Sequence, residues 1–127
     1  MKEKKKATLY IEIPYLPKSL NRILRMHRMA WEKYFTKCKN DVWALAHENG
    51  IKRPKKPYQK AKIIMTFIFS DRGIRDLDNL IGGSKGMVDG IKAAKIIEDD
   101  CWQKLELEFK GELGKEPRTC IEIQEIK

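Results

Sequence analysis

Asp76 and Asp78 stand two residues apart, and a second acidic group, Glu98, Asp99 and Asp100, closes the same stretch, Ile74 to Asp100. Side chains two apart in extended backbone project to one side, so Asp76 and Asp78 are expected to converge on one point. Carboxylates pushed together repel one another unless a cation neutralises them. Mg²⁺, a hard, oxygen-preferring ion, suits such a set together with a substrate phosphate. It would activate water for attack on a phosphodiester and stabilise the developing charge. Lys85 lies between the two acidic groups, placed to hold a phosphate. Carboxylates plus a lysine inside a basic chain form the general pattern of a metal-dependent nuclease. The alternative on the same residues is a structural acidic turn, with Asp78 or Asn79 as a helix N-cap. An N-cap accounts for one acid, but not for Asp76 in addition or for the distant Asp99-Asp100 pair. A calcium loop of the EF-hand type is excluded: counting Asp76 as position one, the sixth residue is Ile81 and the twelfth is Met87, where glycine and glutamate are needed.

These residues need elements to hold them. Leu9, Ile11 and Ile13 alternate within Thr8 to Ile13, which predicts a strand. Pro14 and Pro17 end it, and PYLPKSLNRI reads as an irregular segment carrying Lys18, Asn21, Arg22, Arg25 and Arg28. From about Ala30 to Glu48, Trp31, Tyr34, Phe35, Cys38, Val42, Leu45 and Ala46 recur at helical spacing and form an apolar stripe. Trp31, Tyr34 and Trp43 are read as core packing in preference to base stacking. Asn49-Gly50 is a helix stop. IKRPKKPYQK is a basic loop, either touching phosphates or simply solvated. Ala61 to Phe69 is almost continuously apolar, as in a central strand buried on both faces. SDRGIR then turns the chain toward Asp76.

Between the acidic groups, Gly83, Gly86 and Gly90 make a stripe without side chains. Each interior glycine weakens a helix by about 0.5–1 kcal/mol. Something must therefore approach closely: the sheet, a partner subunit or a nucleic-acid backbone. Gly82-Gly83 is also able to delay the helix start to about Ser84. Gln103 to Phe109 alternates with Leu105, Leu107 and Phe109 inward, GELGKEP is a turn, and Thr119 to Ile126 is a last strand. The expected order is β-α-β-α-β-β, one domain over 1–127 with a basic tail at 1–6. Its class is α+β, a mixed sheet with two helices packed on it.

The net charge of +9 is unevenly spread. Residues 1–62 hold 17 Lys+Arg against 5 Asp+Glu, and residues 63–127 hold 10 against 13. The front half suits a polyanion, of which nucleic acid is the commonest, or is a solvated basic surface. Lys18, Asn21, Arg22, Arg25, Arg72 and Arg75 are the candidate DNA contacts. The three cysteines, Cys38, Cys101 and Cys120, lack zinc spacing and read as reduced thiols. MKEKKK is followed by no apolar h-region, and no apolar run approaches the ~20 residues of a membrane span. A soluble, cytoplasmic protein without a membrane partner is expected.

DLDNL, the Lys85-to-Asp89 interval and the closing Asp99-Asp100 resemble the RusA family of Holliday junction resolvases, and Pro17-x-Ser19-x-Asn21-Arg22 is similar to that family's P-x-S-x-N segment. The resemblance implies a phage- or prophage-associated endonuclease in a bacterial or phage-infected cell. It implies a homodimer that makes paired nicks in a four-way DNA junction with Mg²⁺, or Mn²⁺ in its place. Asp76, Asp78 and Asp100 would then be metal-binding carboxylates, with Asp99 beside them, and Lys85 would assist at the scissile phosphate. Gly82-Gly83-Ser84 departs from the family pattern by lengthening the interval between Asn79 and Lys85. A branched-DNA-binding protein of the same fold that does not cut is the alternative.

Overall fold

In the computed structural model, which describes residues 8–48 and 51–127, three alternating segments and one almost continuously apolar segment form four strands. They are β1 (Thr8–Ile13), β2 (Ala61–Phe69), β3 (Leu105–Leu113) and β4 (Arg118–Glu125). Their order across the single sheet is β1-β4-β2-β3. β2 and β3 run parallel, while β4 is antiparallel to β1 and to β2, so the sheet is mixed and the class is α+β as expected. A parallel pair needs a crossover, and the Ile74 to Asp100 stretch supplies it. The basic tail at 1–6 and the Asn49-Gly50 stop lie outside the described residues.

Each of the two expected helices comes with a companion. α1 (Leu20–Leu24) precedes α2 (Arg28–Ala46), and α3 (Leu77–Gly83) precedes α4 (Lys85–Ala93). α1 falls where an irregular segment was expected; Ser19 caps it, its hydroxyl accepting the Arg22 N–H at 3.3 Å. α2 starts at Arg28 and stops at Ala46, earlier than the Asn49-Gly50 signal suggested. α3 begins at Leu77, so Gly82-Gly83 does not delay the helix; the chain breaks instead at Ser84. Past α4, Lys95 takes a left-handed conformation (φ 61°) that turns the chain back toward Asp99 and Asp100.

Ile11 and Ile13, Ile63, Met65 and Phe67, and Ile121 and Ile123 supply the buried face of the sheet. Tyr34, Cys38, Val42 and Ala46 from α2 and Met87 and Ile91 from α4 pack on it. β2 is interior, but it is buried from both faces only over Met65 to Ile68; Lys62 and Ile64 are half-buried because the second face is largely open. Tyr10, Glu12, Glu108 and Lys110 occupy that second face, exposed. Trp43 departs from the core-packing expectation: it is 47% exposed and stacks on His47 at 3.9 Å, on the solvent side of α2. β3 runs to Leu113, through part of the expected GELGKEP turn, because it pairs with β2 along its whole length. Gly111 makes room there for the Phe69 ring.

Gly86 and Gly90 of the glycine stripe meet helix α2 of the same chain, and not the sheet. A Cβ at Gly86 would stand 2.6 Å from the Phe35 carbonyl oxygen, and one at Gly90 2.6 Å from Val42 Cβ and 2.7 Å from the Lys39 carbonyl oxygen. The crossover lays α4 beside α2 on one face of the sheet, and missing side chains let the two backbones touch. Gly83 packs against the Lys18 carbonyl, and Gly82 against Leu20, so α3 is held on α1 in the same way. In an open helix Gly90→Ala would stabilise by about 0.5–1 kcal/mol. Here the overpacking cost of about 1–3 kcal/mol wins. Urea unfolding of Gly90→Ala is expected to show a net loss of about 1–2 kcal/mol, and a gain would mean that the helices do not touch there.

Candidate active site

The connection from β2 to α3 is fixed by its own side chains. Asp71 accepts the Gly73 N–H at 2.7 Å and binds the Arg75 guanidinium through both oxygens at 3.0 and 3.1 Å. Arg75 also lies over the Phe69 ring, 4.7 Å from its centroid. The Arg75 hydrogen bonds, followed by the Gly73 N–H, hold the Asp71 carboxyl below the usual range. Asp71 was not singled out from the sequence, and Arg75, a candidate DNA contact, is engaged by it. Arg72 and Ile74 are exposed on the same turn.

Asp76 sits at the N-cap position of α3 in extended backbone, but its side chain makes no capping bond. Asp78 is already inside the helix, its Oδ1 accepting the Asn79 N–H at 3.0 Å. The period-two argument for their convergence therefore does not hold, since the extended backbone ends at Asp76. Both carboxylates are exposed at the N-terminal end of α3. Helix N-termini favour negative charge, which accounts for Asp78 on structural grounds alone.

The second grouping lies along α4. Lys85 opens that helix and its Nζ pairs with Asp89 at 2.9 Å, one turn on. Asp100 reaches the same groove, a space of about 200 Å³ floored by Ile81, Val88, Leu105, Leu107 and Phe109. Leu107 faces this groove from an edge strand and is 48% exposed, less buried than its inward register suggested. Asp99 and Asp100 are met by Lys92, whose Nζ lies 3.2 Å from Asp99 and 3.7 Å from Asp100. The Asp100 backbone N–H, at 2.8 Å, and then Lys92 hold the Asp99 carboxyl below its ordinary range. Asp99, and secondarily Asp100, hold Lys92 above its own. Lys92 escaped the sequence reading; its position in the last turn of α4, ahead of the returning acids, is the signal that would have found it. Glu98 pairs with Lys104 and takes no part in the groove.

On the basic side, the Lys18 backbone N–H donates to the Tyr34 hydroxyl at 2.6 Å, and Lys18 Nζ lies 4.9 Å from that ring's centroid. Burial pushes the Tyr34 phenol well above its ordinary value, which keeps it protonated. Asn21, Arg22 and Arg25 are exposed, and among the described residues neither arginine forms an ion pair. Packing of Gly82 and Gly83 against Leu20 and Lys18 brings this segment against α3, so the two stretches carrying the family resemblance are neighbours in space.

Carboxylate oxygens are the donors Mg²⁺ prefers, but among the described residues no group of three or more His, Cys, Asp or Glu side chains comes close enough to hold a metal ion. Asp76 and Asp78 at the start of α3 and Asp100 beyond the end of α4 are not gathered into one set in this arrangement. Among the described residues no helix is long and apolar enough to cross a membrane. The sequence matches no protein-family model, and no curated protein matches it significantly.

Replacing Lys92 tests the ion pair that holds Asp99. Because the folded-state Asp99 carboxyl is depressed, its contribution to stability is present above the ordinary carboxylate value of about 3.9 and is lost as pH falls through the folded-state value. In Lys92→Met the Asp99 titration, followed by NMR of the side-chain carboxyl carbon, is expected to move upward, and part of that acid dependence disappears. An unmoved titration would mean that Lys92 is not paired with Asp99 in solution.

Proposed function

We propose that the chain is an endodeoxyribonuclease of branched DNA and a member of the RusA family. In this reading it is a homodimer that needs Mg²⁺, or Mn²⁺ in its place, to hydrolyse phosphodiesters at a four-way junction. The observation that carries the reading is the groove shared by Lys85, Asp89 and Asp100, which joins the lysine that opens α4 to an acid beyond the end of that helix. Packing of the Lys18–Leu20 segment against Gly82 and Gly83 adds to it, since that basic segment then borders the C-terminal end of α3, just ahead of Lys85.

The roles of the chain's own residues follow. Arg22 on α1 and Arg25 at its C-terminal cap, with Arg72 on the β2–α3 turn, meet backbone phosphates. Lys85, exposed at the rim of the groove, donates to a phosphate oxygen there, and Asp89 aims its ammonium. Asp76, Asp78, Asp99 and Asp100 are the acids available to a divalent ion, which when bound supplies a Lewis acid and an activated water. One observation favours a second reading, a branched-DNA-binding protein that does not cut: the acids are not gathered, and Lys92 neutralises Asp99 and Asp100.

Incubation of a synthetic four-way junction with the protein, with and without Mg²⁺, separates the two. Metal-dependent nicking is expected; Asp78→Asn abolishes it, and Lys85→Ala lowers its rate by about 10²–10³-fold, the usual effect of losing one electrostatic donor. Junction binding without nicking, or nicking indifferent to Asp78→Asn, would establish the second reading. Binding should also weaken steeply with salt, log K falling by about 0.9 per phosphate contact for each decade of salt.

A further inference from the structure

The basic loop at residues 51–60 takes no part in the roles above, yet it is tightly anchored. Tyr58 is buried, its N–H donating to the Ile96 carbonyl at 2.8 Å and its carbonyl accepting the Glu98 N–H at 3.0 Å. The Lys60 carbonyl accepts the Ile126 N–H at 2.9 Å. A loop serving only as a solvated connection needs no such anchors. Lys52, Arg53, Lys55, Lys56 and Lys60 are exposed on it, with no acidic residue among them. Lys56 and Lys60, together with Lys104 and Lys127, line an open basin of about 820 Å³, room for a run of backbone rather than a single ion. Glu98 and Glu125 also line it, and Glu98 is paired with Lys104.

The basin adjoins the candidate groove through a short turn. Asp100 lines the groove and Lys104 lines the basin, and the Lys104 and Leu105 N–H groups both bond the Cys101 carbonyl at 3.0 Å to close the turn between them. At its apex stands Trp102, 84% exposed. A large aromatic left in water between a groove and a lysine basin has the composition of a strand-binding track, with cations for phosphates and a flat face for a base.

We propose that this edge of the molecule is a second DNA-binding site: Lys56, Lys60 and Lys104 hold the backbone of a strand, and Trp102 stacks on one of its unpaired bases. The proposal rests on the nuclease reading only in taking that strand to be the one that leaves the groove of Lys85 and Asp100. Pre-anchoring by Tyr58 lowers the ordering cost of binding, and the Ile96–Glu98 segment that it grips leads directly into Asp99 and Asp100.

The test compares the full chain with Lys56→Gln/Lys60→Gln and with Lys110→Gln/Lys115→Gln, a pair on another part of the surface with the same change in net charge, all checked for fold by circular dichroism. On a branched DNA with single-stranded arms, the loop pair is expected to bind about tenfold or more weakly at ~0.15 M salt, with the log–log salt slope shallower by about two, while the control pair changes little. Intrinsic fluorescence should be quenched on binding, and Trp102→Leu should remove most of that quenching. Equal weakening by both lysine pairs, a preference of the loop for anionic phosphatidylserine vesicles over DNA, or quenching unaffected by Trp102→Leu would overturn the proposal. Failure of nicking in the wild type with these binding differences intact would instead overturn the nuclease reading alone. Intact nicking with no binding difference would overturn this proposal alone.

Discussion

Two backbones touch where α4 crosses α2, and much of the candidate site depends on that contact. Gly86 faces the Phe35 carbonyl, and Gly90 faces Val42 and the Lys39 carbonyl, with no room for a β-carbon. The same device, through Gly82 and Gly83, lays α3 on α1. Two helices pressed this closely cannot slide or rotate freely, so the direction in which Lys85 and Asp89 leave α4 is set by the glycines one residue away. Side chains at these positions would have filled the interface more easily. Glycine gives up helix stability for proximity, and proximity lays α1 against the C-terminal end of α3, just ahead of Lys85.

The strands and the long helix were legible in the sequence because each carries one strong apolar pattern, periodic in β1 and α2 and continuous in β2. Leu9, Ile11 and Ile13 alternate, the stripe from Trp31 to Ala46 repeats at helical spacing, and both patterns reflect burial on a single face. Where the reading failed, a local signal was overridden or was too short to see. α1 is only Leu20–Leu24, marked by the Ser19 cap but too brief for a period. The convergence of Asp76 and Asp78 was argued from extended backbone that stops at Asp76. Trp43 lies off the stripe of α2, and its indole stacks on a histidine at the surface. The glycine stripe was visible, but which neighbour it served depended on the crossover hand and on α2, information that no window of sequence contains. Lys92 was invisible for a related reason: its meaning comes from the turn at Lys95 that folds Asp99 and Asp100 back onto it.

Charge divides the molecule unevenly. The open sheet face carries Glu12, Glu108 and Glu122, two of which are ion-paired with Arg118 and Lys62, and it holds no run of unpaired cations to meet a polyanion. Basic side chains instead lie on the segment packed against the end of α3 and on the 51–60 loop at the end of the sheet. Lys92 is then the counter-ion that keeps Asp99 and Asp100 neutralised in the present arrangement, since acids this close together need a cation.

In the proposed nuclease, Asp76 and Asp78 at one end of the crossover and Asp100 at the other belong to one metal-dependent site. Mn²⁺ titration followed by paramagnetic broadening of backbone amide signals tests it most directly. Signals of Asp76 to Asn79 and of Asp99 and Asp100 are expected to broaden together, with one apparent affinity, in the presence of branched DNA. Broadening confined to one end, or scattered over the acidic surface without a common affinity, would contradict it.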